Sequence, residues 1–184
     1  METINIFKNI VFELRNWYIT KKNVSMDIFN DFNDFTILKI IKLHFFVVAI
    51  NSEDQPDLLD QNTFHAMPYG PVETRVYDYY KSKKGNFDGL FIISNDRITF
   101  TEGAIPPEIN ANLKQQIRNS IEKLEKLEPN LIIAGAGSLV ELTHTWNSWK
   151  KYYNLAKSKE SYSELMPNEE IKKDKKIVNL NYIS

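Results

Sequence analysis

Phe64-His65-Ala66-Met67-Pro68-Tyr69-Gly70-Pro71-Val72, running on into Tyr77-Asp78-Tyr79-Tyr80, decides how the rest of the chain is read. A Gly-Pro step between an aromatic and a β-branched residue is turn chemistry. Pro71 presets φ for a helix start and lacks an N–H that a first helical turn would leave unused. Val72, Val76 and Tyr79 or Tyr80 then recur at helical spacing. The stretch reads as a turn that holds a helix, running to about Lys81, at a fixed angle.

The segment before it, about Phe35 to Ile50, carries Ile37, Leu38, Ile40, Ile41, Leu43 and Phe45 to Ala49. A helix apolar nearly all round belongs at a centre, and Lys39 and Lys42 read as its only wet stripe. Upstream, Phe7, Ile10, Val11, Leu14 and Trp17 or Tyr18 outline an amphipathic surface or capping helix, followed by a polar Asn/Asp-rich stretch from Lys21 to Asp34. Downstream, Leu90 to Ser94 and Arg97 to Thr101 flank Asn95-Asp96, a hairpin whose tight turn would use positive φ. Pro106-Pro107-Glu108 opens a helix with Ile109, Leu113, Ile117, Ile121, Leu124 and Leu127 on one face. Ser138 and Glu141 have the spacing of a capping box. The sum is mainly α: a compact helical domain with one small β-hairpin. Residues 1–34 read as an N-terminal helix and polar extension, 35–156 as the domain proper. Residues 157–184 read as a mixed-charge tail, either closing the domain or partly disordered.

At 184 residues, 42% of them hydrophobic, the chain can bury one real core. A net charge of −1 gives no global basic field for nucleic acid. Cysteine is absent, which removes disulfides, thiol catalysis and thiolate metal sites. No apolar run has the length of a membrane span, and Lys8, Asn9 and Glu13 break the N-terminal pattern that an export signal needs. These features fit a soluble cytoplasmic protein.

Catalytic chemistry has little support. His44, His65 and His144 lie far apart and outside any zinc-ligand spacing. His44 reads as a hydrogen-bonded core histidine, and His144 as a partner for carbonyls at a helix end. Gly135-Ala136-Gly137 lacks the third glycine and the βαβ setting of a dinucleotide site, and reads as a flexible joint. No carboxylates pair into an acid–base dyad, and no metal or cofactor is expected. Trp146, Trp149, Tyr152 and Tyr153, interleaved with Lys150 and Lys151, fit either core packing or an interface.

Three blocks in order resemble the Panacea (SocA-like) antitoxin domain family. They are Leu38 to Phe46, Phe64 with Ala66 to Val72, and Leu139 to Lys150 with Leu142-Thr143-His144 and Trp149-Lys150; Met166 to Ile171 resembles a short sequence that follows. His44 stands where the family usually has an aliphatic residue and Met67 where Trp is common, and Lys21–Asp34 is longer than usual. The resemblance implies a non-enzymatic antitoxin that neutralises a co-encoded protein toxin by direct contact, through occlusion or delivery to a cellular protease. The contact candidates are Tyr69, His144, Trp146, Trp149 and Lys150. The alternative is a DNA-binding regulator of winged-helix type, with the hairpin as its wing, although no helix begins with an evident recognition set.

Overall fold

A computed structural model describes residues 1–183 and is mainly α, with two small antiparallel sheets. Helix α1 (Glu2–Lys22) is followed by α2 (Met26–Phe32) and by the central α3 (Ile37–Ala49). Thr36 starts α3 by accepting the Lys39 N–H at 3.2 Å, and packing against α1 and later elements buries all but its first turn. Helix α1 is a core element, with Ile6, Phe7, Ile10, Val11 and Leu14 fully buried. The polar residues that made it look peripheral have dedicated partners. Lys8 pairs with Asp88, and the Asn9 amide donates to the carbonyls of Asn5 and Pro107, each at 2.9 Å.

After the short α4 (Asp57–Asp60), Phe64–Met67 and Gly70–Glu73 form strands β1 and β2. They pair antiparallel from Phe64↔Glu73 to Met67↔Gly70. The helix expected to start at Pro71 instead starts at Thr74 as α5 (Thr74–Ser82), with Glu73 accepting the Arg75 N–H at 3.1 Å. Pro71 is tolerated in β2 because β2 is an edge strand, where a missing N–H costs no ladder bond. Gly70 takes φ +94°, a left-handed value that glycine adopts without a Cβ penalty.

The second sheet pairs β3 (Phe91–Ile93) with β4 (Ile98–Phe100), as the sequence suggests. Its turn closes through the Ser94 N–H to the Arg97 carbonyl at 2.8 Å, and Asn95 and Asp96 do not use positive φ. The Asn-rich stretch before α3 explains itself here. Asn33 donates to the Ile98 carbonyl at 2.8 Å and accepts the Ile98 N–H at 3.1 Å, while Asn30 brackets Phe100 in the same way. The two amides satisfy backbone groups of β4 that no strand covers.

Helix α6 (Ala111–Leu127) begins three residues after Glu108, because Asn110 rather than the Pro-Pro step caps it. A 3-10 turn (Leu131–Ile133) leads to α7 (Ala136–His144), capped by the extended Gly135. Ser138 therefore lies inside α7 and makes no cap bond, and Gly137 is helical rather than a joint. Helix α8 (Asn147–Ser158) follows.

The C-terminal residues close the domain. Strand β5 (Glu164–Leu165) pairs with β1, giving the order β2-β1-β5. Helix α9 (Asn168–Lys173) and a 3-10 turn (Leu180–Tyr182) complete the chain. Met166, Ile171 and Val178 join the same apolar cluster as Phe7 and Phe35. Among the described residues, no helix is long and apolar enough to cross a membrane.

Candidate functional site

The β1–β2 hairpin gathers three distant segments. From α3, the Lys42 ammonium donates to the Pro71 carbonyl at 2.7 Å. From α7, Thr143 packs so closely on Gly70 that a Cβ there would overlap its Oγ1. From α8, the Trp149 indole N–H donates to the Met67 carbonyl at 2.9 Å. Beneath them Phe45 meets Phe64 and Trp146 edge-on, with centroids 5.1 and 4.8 Å away. Sequence spacing offers no hint of this meeting, which follows from antiparallel pairing and from the short α7–α8 connection.

A pocket of about 490 Å³ opens where α3 meets the hairpin. Ile37, Leu38 and Ile41 face it from the helix, Met67, Pro68 and Val72 from the hairpin, and Tyr77 from α5. Tyr69 and Tyr162, 68% and 86% exposed, stand at its rim. Lys42 also lines it and is 0% exposed.

The two α3 lysines therefore reverse the expected wet stripe, since both are buried. A helix packed on every side has no wet face to give them. Lys39 reaches the Asp34 carboxylate at 2.7 Å, which partly offsets the burial that lowers its pKa. Lys42 has no carboxylate partner among the described residues, and burial lowers its pKa to about 7.

Of the contact candidates, His144 and Trp149 come together, and Trp149 bonds to Met67 of the hairpin whose turn carries the exposed Tyr69. His144 ends α7, and its ring stacks on Trp149 with centroids 3.8 Å apart and planes 13° apart. Trp149 in turn stacks on Tyr153. Burial holds the His144 pKa below the ordinary value, with the Pro68 carbonyl opposing and the Lys42 cation reinforcing it. Its Nε2 is buried without a partner. Trp149 is only 7% exposed, so it shapes the site more than it meets solvent. Lys150 is exposed on α8. Trp146 is fully buried, its N–H donating to the Ile177 carbonyl at 2.8 Å, which places it with core packing.

His44 is a core residue, as expected, but neither ring nitrogen makes a hydrogen bond of good geometry, with Asn62 a polar neighbour. It lies edge-on to Phe7 at 5.2 Å, and burial lowers its pKa to about 4 against the opposing pull of Glu73 and Asn62. Among the described residues, no three His, Cys, Asp or Glu side chains gather into a metal-ligating group. The arrangement presents an aromatic-rimmed apolar recess with the covered Lys42 side chain beneath it. No protein-family model, no curated protein and no solved structure matches the chain.

Proposed function

We propose that this chain is an antitoxin that neutralises a co-encoded protein toxin by direct contact in the cytoplasm, without catalysis. One observation carries the reading. The three blocks that resemble Panacea domains meet at the β1–β2 hairpin, through Lys42 on Pro71, Thr143 on Gly70 and Trp149 on Met67. Lys42, Thr143 and Trp149 are all buried there, so in this reading they fix the hairpin from below while its exposed turn meets the partner.

The contact surface in this reading is the exposed rim around Tyr69, with His144 and Trp149 holding its shape and Lys150 on the adjoining face of α8. Tyrosine at such a rim offers large contact area at low entropy cost, and apolar recesses of this kind suit partner binding. Trp146 supports the surface from the core.

Growth of cells expressing the adjacent open reading frame, with and without this chain, tests the reading. Toxicity relieved by co-expression and stoichiometric co-purification are the expected results. A harmless neighbour, or toxicity that persists, would remove the antitoxin assignment.

A further inference from the structure

We propose that the pocket between α3 and the β1–β2 hairpin binds a small apolar carboxylic acid, its hydrocarbon body against Ile37, Leu38, Ile41 and Val72 and its carboxylate on Lys42. This does not rest on the antitoxin reading.

The argument begins from an inconsistency among the buried charges. Lys8 is paired with Asp88, Lys39 with Asp34, and Glu73 with Arg75; Glu128 accepts the N–H groups of Asn130 and Leu180. Lys42 is the least satisfied: Glu128, also without a counter-charge, accepts two N–H groups, whereas Lys42 holds one neutral carbonyl and, among the described residues, no carboxylate. An ammonium has three donors, so two remain for a ligand. A buried cation without a counter-charge is costly, and this one lines a pocket whose other walls are apolar.

The complement follows from those walls. The pocket's volume of about 490 Å³ lies in the usual range for small-molecule sites, roughly 300–1,000 Å³. Apolar surface favours a hydrocarbon or aryl body, and the single amine behind the wall favours one anionic head. A charge-assisted bond in a water-poor site is stronger than its solvent-exposed counterpart. The amine is covered while the pocket is empty, so binding draws it toward the cavity on its flexible stem. An alcohol would gain the apolar contacts without the charge pairing, and an amine would meet like charge.

Calorimetric titration of the full chain with octanoate, 1-octanol and octylamine tests this, with circular dichroism checking each variant's fold. Octanoate is expected to bind at least about tenfold tighter than 1-octanol, with octylamine weakest. Lys42→Met should bring octanoate and 1-octanol to near equality while retaining 1-octanol binding. Leu38→Trp, which fills the pocket without touching the charge, should abolish both and serves as the second variant if Lys42→Met fails to fold. Octanoate binding no tighter than 1-octanol, or a preference that survives Lys42→Met, overturns the proposal. So does unaltered octanoate binding in Leu38→Trp. Binding of the peptide Gly-Leu-Phe through its free carboxylate, with no binding of octanoate, would overturn the small-acid assignment in favour of a peptide terminus.

Discussion

Lys42 gives up its hydration on folding and gains a single carbonyl, so the folded chain favours the neutral amine and the pKa falls to about 7. In the unfolded chain the same amine titrates near the ordinary lysine value, roughly 10.4. Between those values the unfolded state binds more protons, so this group makes stability rise as pH climbs from about 7 to about 10. Lys42→Met keeps the volume and removes the charge. At neutral pH it should stabilise the chain by about 1–4 kcal/mol, the range seen when buried charges become apolar. That advantage should shrink toward pH 10, and urea midpoints for both proteins across the window would show it. Parallel pH profiles would mean that Lys42 is hydrated in solution. Gly70 supplies a second test at this scale. Alanine there meets both a left-handed φ of +94° and Thr143, whereas alanine at Gly89 meets only a φ of +74° in open space. Gly89→Ala should cost about 1–2 kcal/mol from backbone strain. Gly70→Ala should cost about 1–3 kcal/mol more from overpacking, and equal losses in denaturant unfolding would deny that close approach.

Helix α3 also carries a second pH response of the same sign, set in the acid range. His44 is neutral in the fold, with a pKa of about 4, and titrates near 6.5 when unfolded. As pH falls through that interval the unfolded chain takes up the proton first, so stability declines from about pH 6.5 to about pH 4. His44→Leu should flatten that decline and gain about 1 kcal/mol at neutral pH, because both ring nitrogens are buried without a well-formed hydrogen bond. Thermal midpoints between pH 4 and 7 decide it; an unchanged acid slope would place the sensitivity elsewhere. The helix itself was legible, since an apolar run behind Thr36 has few other readings. The burial of its lysines was harder to see, because local pattern assigns Lys to water unless the packing of neighbours is known. The hairpin at Phe64–Glu73 was misread for a related reason. Gly70-Pro71 suits both a helix start and an edge strand, and the choice goes with its pairing to β1 and with Lys42, far away in sequence, on the Pro71 carbonyl. At the site, Tyr69, His144 and Trp149 could be picked out as aromatic or basic residues in suggestive places. That Trp149 reaches Met67 and Thr143 reaches Gly70 depends on tertiary contacts that no spacing encodes.

Across the whole molecule, the question is what the last residues contribute. Mixed charge and few aromatics made everything beyond Lys157 look separable, since a two-residue strand has no pattern of its own. In the fold it provides β5 to β1, buries Met166, Ile171 and Val178, accepts the Trp146 N–H at the Ile177 carbonyl and accepts the Ser148 N–H at Asp174. Burial of each of those three side chains is worth about 1.5–3 kcal/mol. Their sum approaches the whole stability of an ordinary domain, about 5–15 kcal/mol. Truncation after Ser158 should therefore abolish cooperative unfolding, redshift tryptophan emission as Trp146 meets water, and expose dye-binding apolar surface. Truncation after Asn179 is the control, because it removes the final 3-10 turn and one backbone bond to Glu128 but leaves Ile177 and Val178 in place. That shorter cut should unfold cooperatively with a modest loss. A tail that ordered only on meeting a partner would leave both truncations as stable as the full chain. The emission spectra and unfolding curves of the two proteins separate a structural closure from a binding arm before any partner is known.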